Sequence, residues 1–278
     1  MLARHDDPRS VDELFAAALR DPEENETWNA IWALQARATS QVLERAIELG
    51  SSFCAFERRL GAHILAQFGG PDRKFEEECL RTLLRLLERE PDETVIEAIL
   101  TALSHRKRAD VIVPAYQFRA HACPEIRHAV VHALTGHEDD LAISALIELT
   151  RDPVAHVRDW ATFGLGTLMD VDSPEIREAF VACLSDPDNH TRCEALVGLA
   201  RRHDRRVLPA LRSALDSESV WTLEVEAASH IAAPELLPLL IHLREWWDVD
   251  SDLLEEAILA CSKGLTVPSL GESDVVGS

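Results

Sequence analysis

A nine-residue phrase recurs along almost the whole chain and closes each time on an apolar residue. Its clearest copies occupy residues 126–134, 157–165 and 191–199, opening on Ile126-Arg127, Val157-Arg158 and Thr191-Arg192. Five weaker copies complete the series, with closing residues Leu34, Leu65, Leu103, Leu134, Leu165, Leu199, Ile231 and Cys261, spaced 30 to 38 residues apart. A period in that range marks an array of helix pairs, each unable to bury its apolar face except against its neighbours. By length alone the 278 residues allow two globular domains. A repeat stack grows by nearest-neighbour contact without enlarging a central core, so one domain over residues 10–262 is expected. Residues 1–9 and 263–278 lack helical periodicity and are expected to be mobile ends.

Each phrase is predicted to be the second helix, B, of its pair. The preceding helix, A, is predicted at 11–19, 41–49, 75–87, 111–118, 141–149, 176–184, 207–215 and 236–243. Pro22, Pro91, Pro153 and Pro187 each stand four residues ahead of a phrase. Proline cannot continue helix A but is tolerated in a turn or in the first turn of helix B, so it defines the corner. Asp21, Asp152 and Asp186 precede three of these prolines and add turn chemistry and a cap acceptor.

The Asp-Pro corners with Val157-Arg158 and Ala161, and with Thr191-Arg192 and Ala195, resemble the HEAT-repeat family, in particular its short phycobilisome-lyase-like class. So do the proline-interrupted A segments at 207–211 and 236–240. The resemblance implies an all-α, right-handed solenoid of about eight antiparallel helix pairs, with B helices lining the concave side. It also implies that Arg127, Arg158 and Arg192 are structural, each pairing with the corner aspartate of an adjacent repeat. Simple physics agrees, since a guanidinium fork can hold a carboxylate and loop carbonyls together. The same resemblance admits a bilin lyase or isomerase-like subunit acting on a linear tetrapyrrole. His137-Glu138 occurs once and follows helix B, so the His-Glu iron chemistry of deoxyhypusine hydroxylase is not expected.

With 28 Lys and Arg against 49 Asp and Glu, the net charge of −21 opposes nucleic acid and favours solubility and basic partners. That charge also disfavours a HEAT-like DNA glycosylase. The N-terminus shows no secretory signal and no apolar run is long enough to span a membrane, so a cytoplasmic protein is expected. Six cysteines stand singly without a C-x-x-C, which argues for reduced thiols. No phosphate-binding loop or nucleophile elbow is present, and Gly164-x-Gly166 is read as a site of close helix packing. The basic clusters Arg106-Lys107-Arg108 and Arg201-Arg202 with Arg205-Arg206 are expected to be solvated helix ends.

At 100° per residue, positions 1, 5, 8 and 9 of the phrase share the apolar side, leaving positions 3 and 7 to face away. Position 3 reads Trp28, Arg59, Glu97, His128, Asp159, Cys193, Val225 and Glu255; position 7 reads Trp32, His63, Thr101, His132, Phe163, Val197, Ser229 and Leu259. A solvated face without a role is mostly Glu, Lys, Arg and Gln. Trp28, Trp32, Arg59, His63, Glu97, His128, His132, Asp159 and Phe163 therefore form the expected partner-binding stripe of a non-catalytic, monomeric adaptor for a protein or peptide. Alternatively, the indoles tuck under the N-terminal segment as a cap and a tilted helix buries Phe163. His128 and His132 have the spacing of a zinc pair but lack the glutamate of a metalloprotease motif and a defined third ligand. No metal or other cofactor is expected. Arg59, Glu97, His128 and Asp159 could instead satisfy one another as a charge ladder.

Overall fold

The computed structural model describes residues 7–20 and 25–263. Asp21, Pro22 and most of the two expected mobile ends lie outside the described residues. Every described element is helical, and the chain divides into two compact units, one ending at Val171 and the other starting at Asp172.

The first unit holds five antiparallel pairs. These are α1 (Val11–Ala18) with α2 (Asn25–Arg37), α3 (Ser40–Leu49) with α4 (Ala55–Ala66), α5 (Glu76–Leu87) with α6 (Glu93–Ser104), α7 (Ile112–Tyr116) with α8 (Pro124–Leu134), and α9 (Asp140–Leu149) with α10 (Ala155–Gly166). The second unit holds three: α11 (Pro174–Cys183) with α12 (Asn189–Arg201), α13 (Leu208–Leu215) with α14 (Thr222–Ile231), and α15 (Leu237–Leu243) with α16 (Ser251–Lys263). The all-α helix-pair repeat read from the periodicity is therefore the fold.

Local chemistry explains where the helices begin. Ser10 and Glu13 form a capping box on α1, and Thr39, Asp92, Asp139, Ser173 and Asp188 cap α3, α6, α9, α11 and α12 with their side chains. Pro124 and Pro174 open α8 and α11. The prolines of the later A segments do not interrupt a helix. Pro209 and Pro238 occupy the first turn of α13 and α15, and the apolar residues ahead of them form short 3-10 turns. A missing N–H costs nothing in a first turn, where no intrahelical acceptor exists.

All eight phrase-closing residues are buried. Each fully buried leucine among them contributes about 1.5–3 kcal/mol of apolar transfer. Small residues set the closest approaches: a Cβ on Gly164 would lie 2.6 Å from Thr135 Oγ1, and one on Gly61 2.7 Å from the Ala46 carbonyl oxygen.

Arginine forks tie the corners. Arg127 grips Asp152 through Nε at 2.6 Å and Nη2 at 2.8 Å, and its Nη1 donates to the carbonyls of His121 and Ala122. Arg158 and Arg192 donate to their own corner carbonyls, Asp152 and Pro153 in one case and Asp186 and Pro187 in the other. A further fork was not anticipated. Arg58 holds Glu90 bidentately at 2.8 and 2.6 Å, and Glu90 precedes Pro91 as Asp152 precedes Pro153. The basic turn at 106–108 also departs from expectation, because Arg106 is buried, pairing with Glu76 and donating to the Leu65 carbonyl. Burial is tolerated there because the charge meets a carboxylate and a carbonyl together.

Candidate functional site

Helices α2, α4 and α6 present their position-3 and position-7 side chains around a cleft of about 500 Å³. Trp28 and Trp32, one turn apart on α2, are 37% and 38% exposed with ring centroids 6.4 Å apart. Trp28 meets the His63 imidazole edge-on at 5.1 Å. Opposite them stand Phe56 and Arg59 of α4 and Glu97 and Thr101 of α6. The Arg59 guanidinium lies 5.9 Å from the Phe56 ring centroid and makes no hydrogen bond or ion pair among the described residues. Glu97 accepts from Thr101 Oγ1 at 3.4 Å instead of pairing with Arg59.

Burial dominates the electrostatics of this cleft. It pushes His63 down to about 4, with Arg59 adding to the shift, so the imidazole is neutral at physiological pH. It also pushes the Glu97 carboxyl up, against the opposing pull of the Thr101 hydrogen bond and of Arg59. The cleft thus offers aromatic walls, a neutral imidazole and the Arg59 cation, which is not paired with Glu97.

A second ring cluster lies on α8 and α10. His128 and His132 face each other with Nε2 atoms 3.2 Å apart. Trp160 lies 4.7 Å from His132 and 5.7 Å from His128, and Phe163 meets Trp160 edge-on at 5.6 Å. His156 approaches His128 at 5.2 Å. Phe163 and Asp159 are half-buried, while Trp160 is 39% exposed and is the larger presented ring. Trp160 and His156 were missed by the choice of positions 3 and 7. The available signal was their own spacing of four residues, which matches that of His128 and His132 on the preceding B helix.

The four-residue charge ladder does not form. Arg59 and Glu97 make no ion pair, and His128 meets the rings of His132, His156 and Trp160. In the second unit the exposed stripe fails as well, since Cys193, Val197 and Val225 are buried. Helix α12 is apolar on several faces, and the Cys193 thiol lies 3.8 Å from Glu224 Oε1 on α14. His137 is also buried and follows α8, so it does not stand as a surface ligand. Among the described residues no group of three or more His, Cys, Asp or Glu is placed to hold a metal ion, and no helix is long and apolar enough to cross a membrane.

The family model for HEAT repeats matches residues 80–166 and 156–232. Protein YibA of Escherichia coli strain K12 is 29% identical over 253 residues, covering 89% of each chain. The X-ray structure of the Escherichia coli YibA protein superposes with a TM-score of 0.78 at 27% identity, covering 92% of this chain and 93% of that one. A crystal structure of importin beta shares the fold with a TM-score of 0.53 at 14% identity, covering 90% of this chain and 40% of that one. With its period, its helix pairing and a family match over more than half its length, the chain belongs to the HEAT-repeat family.

Proposed function

We propose that this protein is a non-catalytic adaptor that grips a protein or peptide partner on the exposed B-helix face of its first unit. The observation that carries the reading is the Trp28–Trp32 pair, partly exposed above a cleft in which Arg59 makes no hydrogen bond among the described residues. Tryptophan and arginine are the residues most enriched at interface hot spots. An apolar or aromatic side chain of the partner fills the cleft between the indoles and Phe56, while a carbonyl or carboxylate oxygen beside it accepts from Arg59. The net charge of −21 favours a partner that is basic overall, because complementary fields raise the rate of encounter.

The test is affinity capture from the native cell extract, followed by calorimetry with the purified partner. Trp28→Ala and Trp32→Ala should each weaken binding by roughly 30-fold, the equivalent of about 2 kcal/mol at a hot spot. The melting temperature should fall far less than for a buried aromatic. Unchanged affinity in both variants would sink the assignment of this face.

A further inference from the structure

We propose that His128 and His132 form a two-nitrogen site for a late first-row divalent ion, of the class Cu²⁺, Ni²⁺ or Zn²⁺. The site is separate from the Trp28–Trp32 cleft and does not depend on the adaptor reading.

The geometry is that of a chelate. The two residues are one turn apart on α8, their rings are 4.5 Å apart at the centroids, and their Nε2 atoms converge to 3.2 Å. Two nitrogens held at that separation, each about 2.0–2.1 Å from a metal, subtend roughly 100° at it. That angle falls between the cis angle of a square plane and the tetrahedral angle, so the pair can serve either geometry with little movement. The rings are also held in place. His156 and Trp160 of α10 meet His128 edge-on, Trp160 leans on His132, and the α8 backbone between the two histidines is anchored by buried Ala129, Val130 and Val131.

The protonation state suits a ligand. Burial, together with His132 and His156, pushes His128 down to about 4, and burial with Lys107 and His105 lowers His132. Both shifts favour the neutral imidazole, the form that ligates a metal. Without metal, one Nε2–H donates to the other Nε2. With metal, that proton moves to Nδ1 of the same ring, so no net proton is released. Lys107, whose charge acts on His132, is held by the Thr135 carbonyl at 2.6 Å, and Glu125 supplies a carboxylate charge that acts on His128.

With two protein ligands, the rest of the coordination sphere is completed by water or by a group from outside. Such a site exchanges its ion readily, and its preference follows intrinsic ligand affinity, with Cu²⁺ ahead of Ni²⁺ and Zn²⁺. Mg²⁺, which takes oxygen ligands and dehydrates reluctantly, is not bound.

The test is titration of the metal-free full-length protein with CuCl₂, NiCl₂, ZnCl₂ and MgCl₂ at pH 7.4, followed by calorimetry and tryptophan fluorescence. One saturable equivalent of Cu²⁺ is expected, with quenching of Trp160 because its ring lies against both imidazoles. His128→Ala and His132→Ala should each weaken binding at least tenfold. Trp160→Phe should keep the calorimetric binding and lose most of the quenching. Trp28→Ala should leave the metal isotherm unchanged, which separates this site from the cleft. His128→Gln, with circular dichroism on every variant, guards against a folding defect. Retention of the stoichiometric site in the His128→Ala/His132→Ala double variant, or equal binding of Mg²⁺, would overturn the proposal.

Discussion

Replacing Asp152 with alanine removes one partner of a well-buried ion pair in the first unit, where the Arg127 side chain is 10% exposed and that of Asp152 3%. Breaking a buried pair in this way costs about 3–5 kcal/mol, because the remaining charge loses its partner. Here the guanidinium keeps the His121 and Ala122 carbonyls, which puts the pair at the lower end, about 3 kcal/mol. Asp152 also accepts from the Val154 N–H at 2.9 Å, a cap-like bond whose loss adds about 1 kcal/mol. The sum of roughly 4 kcal/mol corresponds to a fall in melting temperature on the order of 10 °C. Urea titration followed by circular dichroism at pH 7 reads it directly. Arg127→Met/Asp152→Leu should recover more than half of the loss, since no charge is left buried alone. The pH dependence has a definite sign. Burial raises the Asp152 carboxyl, but the Arg127 hydrogen bonds and the Val154 N–H outweigh it and leave the group below its usual range. A depressed carboxyl contributes stability that is complete above the unfolded value of about 3.9 and is lost as pH falls through the folded value. The gap between wild type and Asp152→Ala should therefore stay flat from about pH 8 to 5 and close below about pH 4. A loss under about 1 kcal/mol, or a double variant as unstable as the sum of its singles, would refute the account of these corners.

Three further outcomes are expected. Gly164→Ala, which would gain about 1 kcal/mol in an open helix interior, should instead lose about 1–3 kcal/mol, because its Cβ would meet Thr135 Oγ1 at 2.6 Å. Thr135→Ala should restore most of the thermal stability, and a Gly164→Ala variant more stable than wild type would contradict the packing. His63 should titrate by NMR near 4; since its folded value lies below the unfolded 6.5, its contribution is full above about 6.5 and lost as pH falls toward 4. His63→Gln should flatten that part of the stability profile, and a resonance titrating near 6.5 would show the ring to be solvated. Ellman's reagent should label Cys54 rapidly in the native protein, whereas Cys79, Cys193 and Cys261, pushed by burial to about 11, 12 and 11, should react only on unfolding. Four or more rapidly reacting thiols would indicate an open core.

The Trp28–Trp32 cleft was legible because two large rings four residues apart on a predicted helix must share a face, wherever that helix packs. Glu90 was equally legible in principle, since it stands before Pro91 as Asp152 stands before Pro153. Trp160 and His156 were less so. Their positions fall on the flank of α10, and a flank becomes surface or core according to the neighbouring helix and its tilt.

Periodicity by itself determined the helix pairs, their order and the residues that close each core layer, because an apolar residue repeating at helical spacing has to be buried somewhere. Tertiary structure alone decided what the opposite faces do. Positions 3 and 7 are partly open in α2, yet buried at Cys193, Val197 and Val225 in α12 and α14. It also turned Arg106 inward to Glu76 and Leu65, left Arg59 unpaired with Glu97, and brought two imidazole nitrogens to 3.2 Å. Local pattern specifies which side of a helix seeks burial. Which polar groups then find partners depends on side chains about one repeat away in sequence, and only the packed chain brings those together.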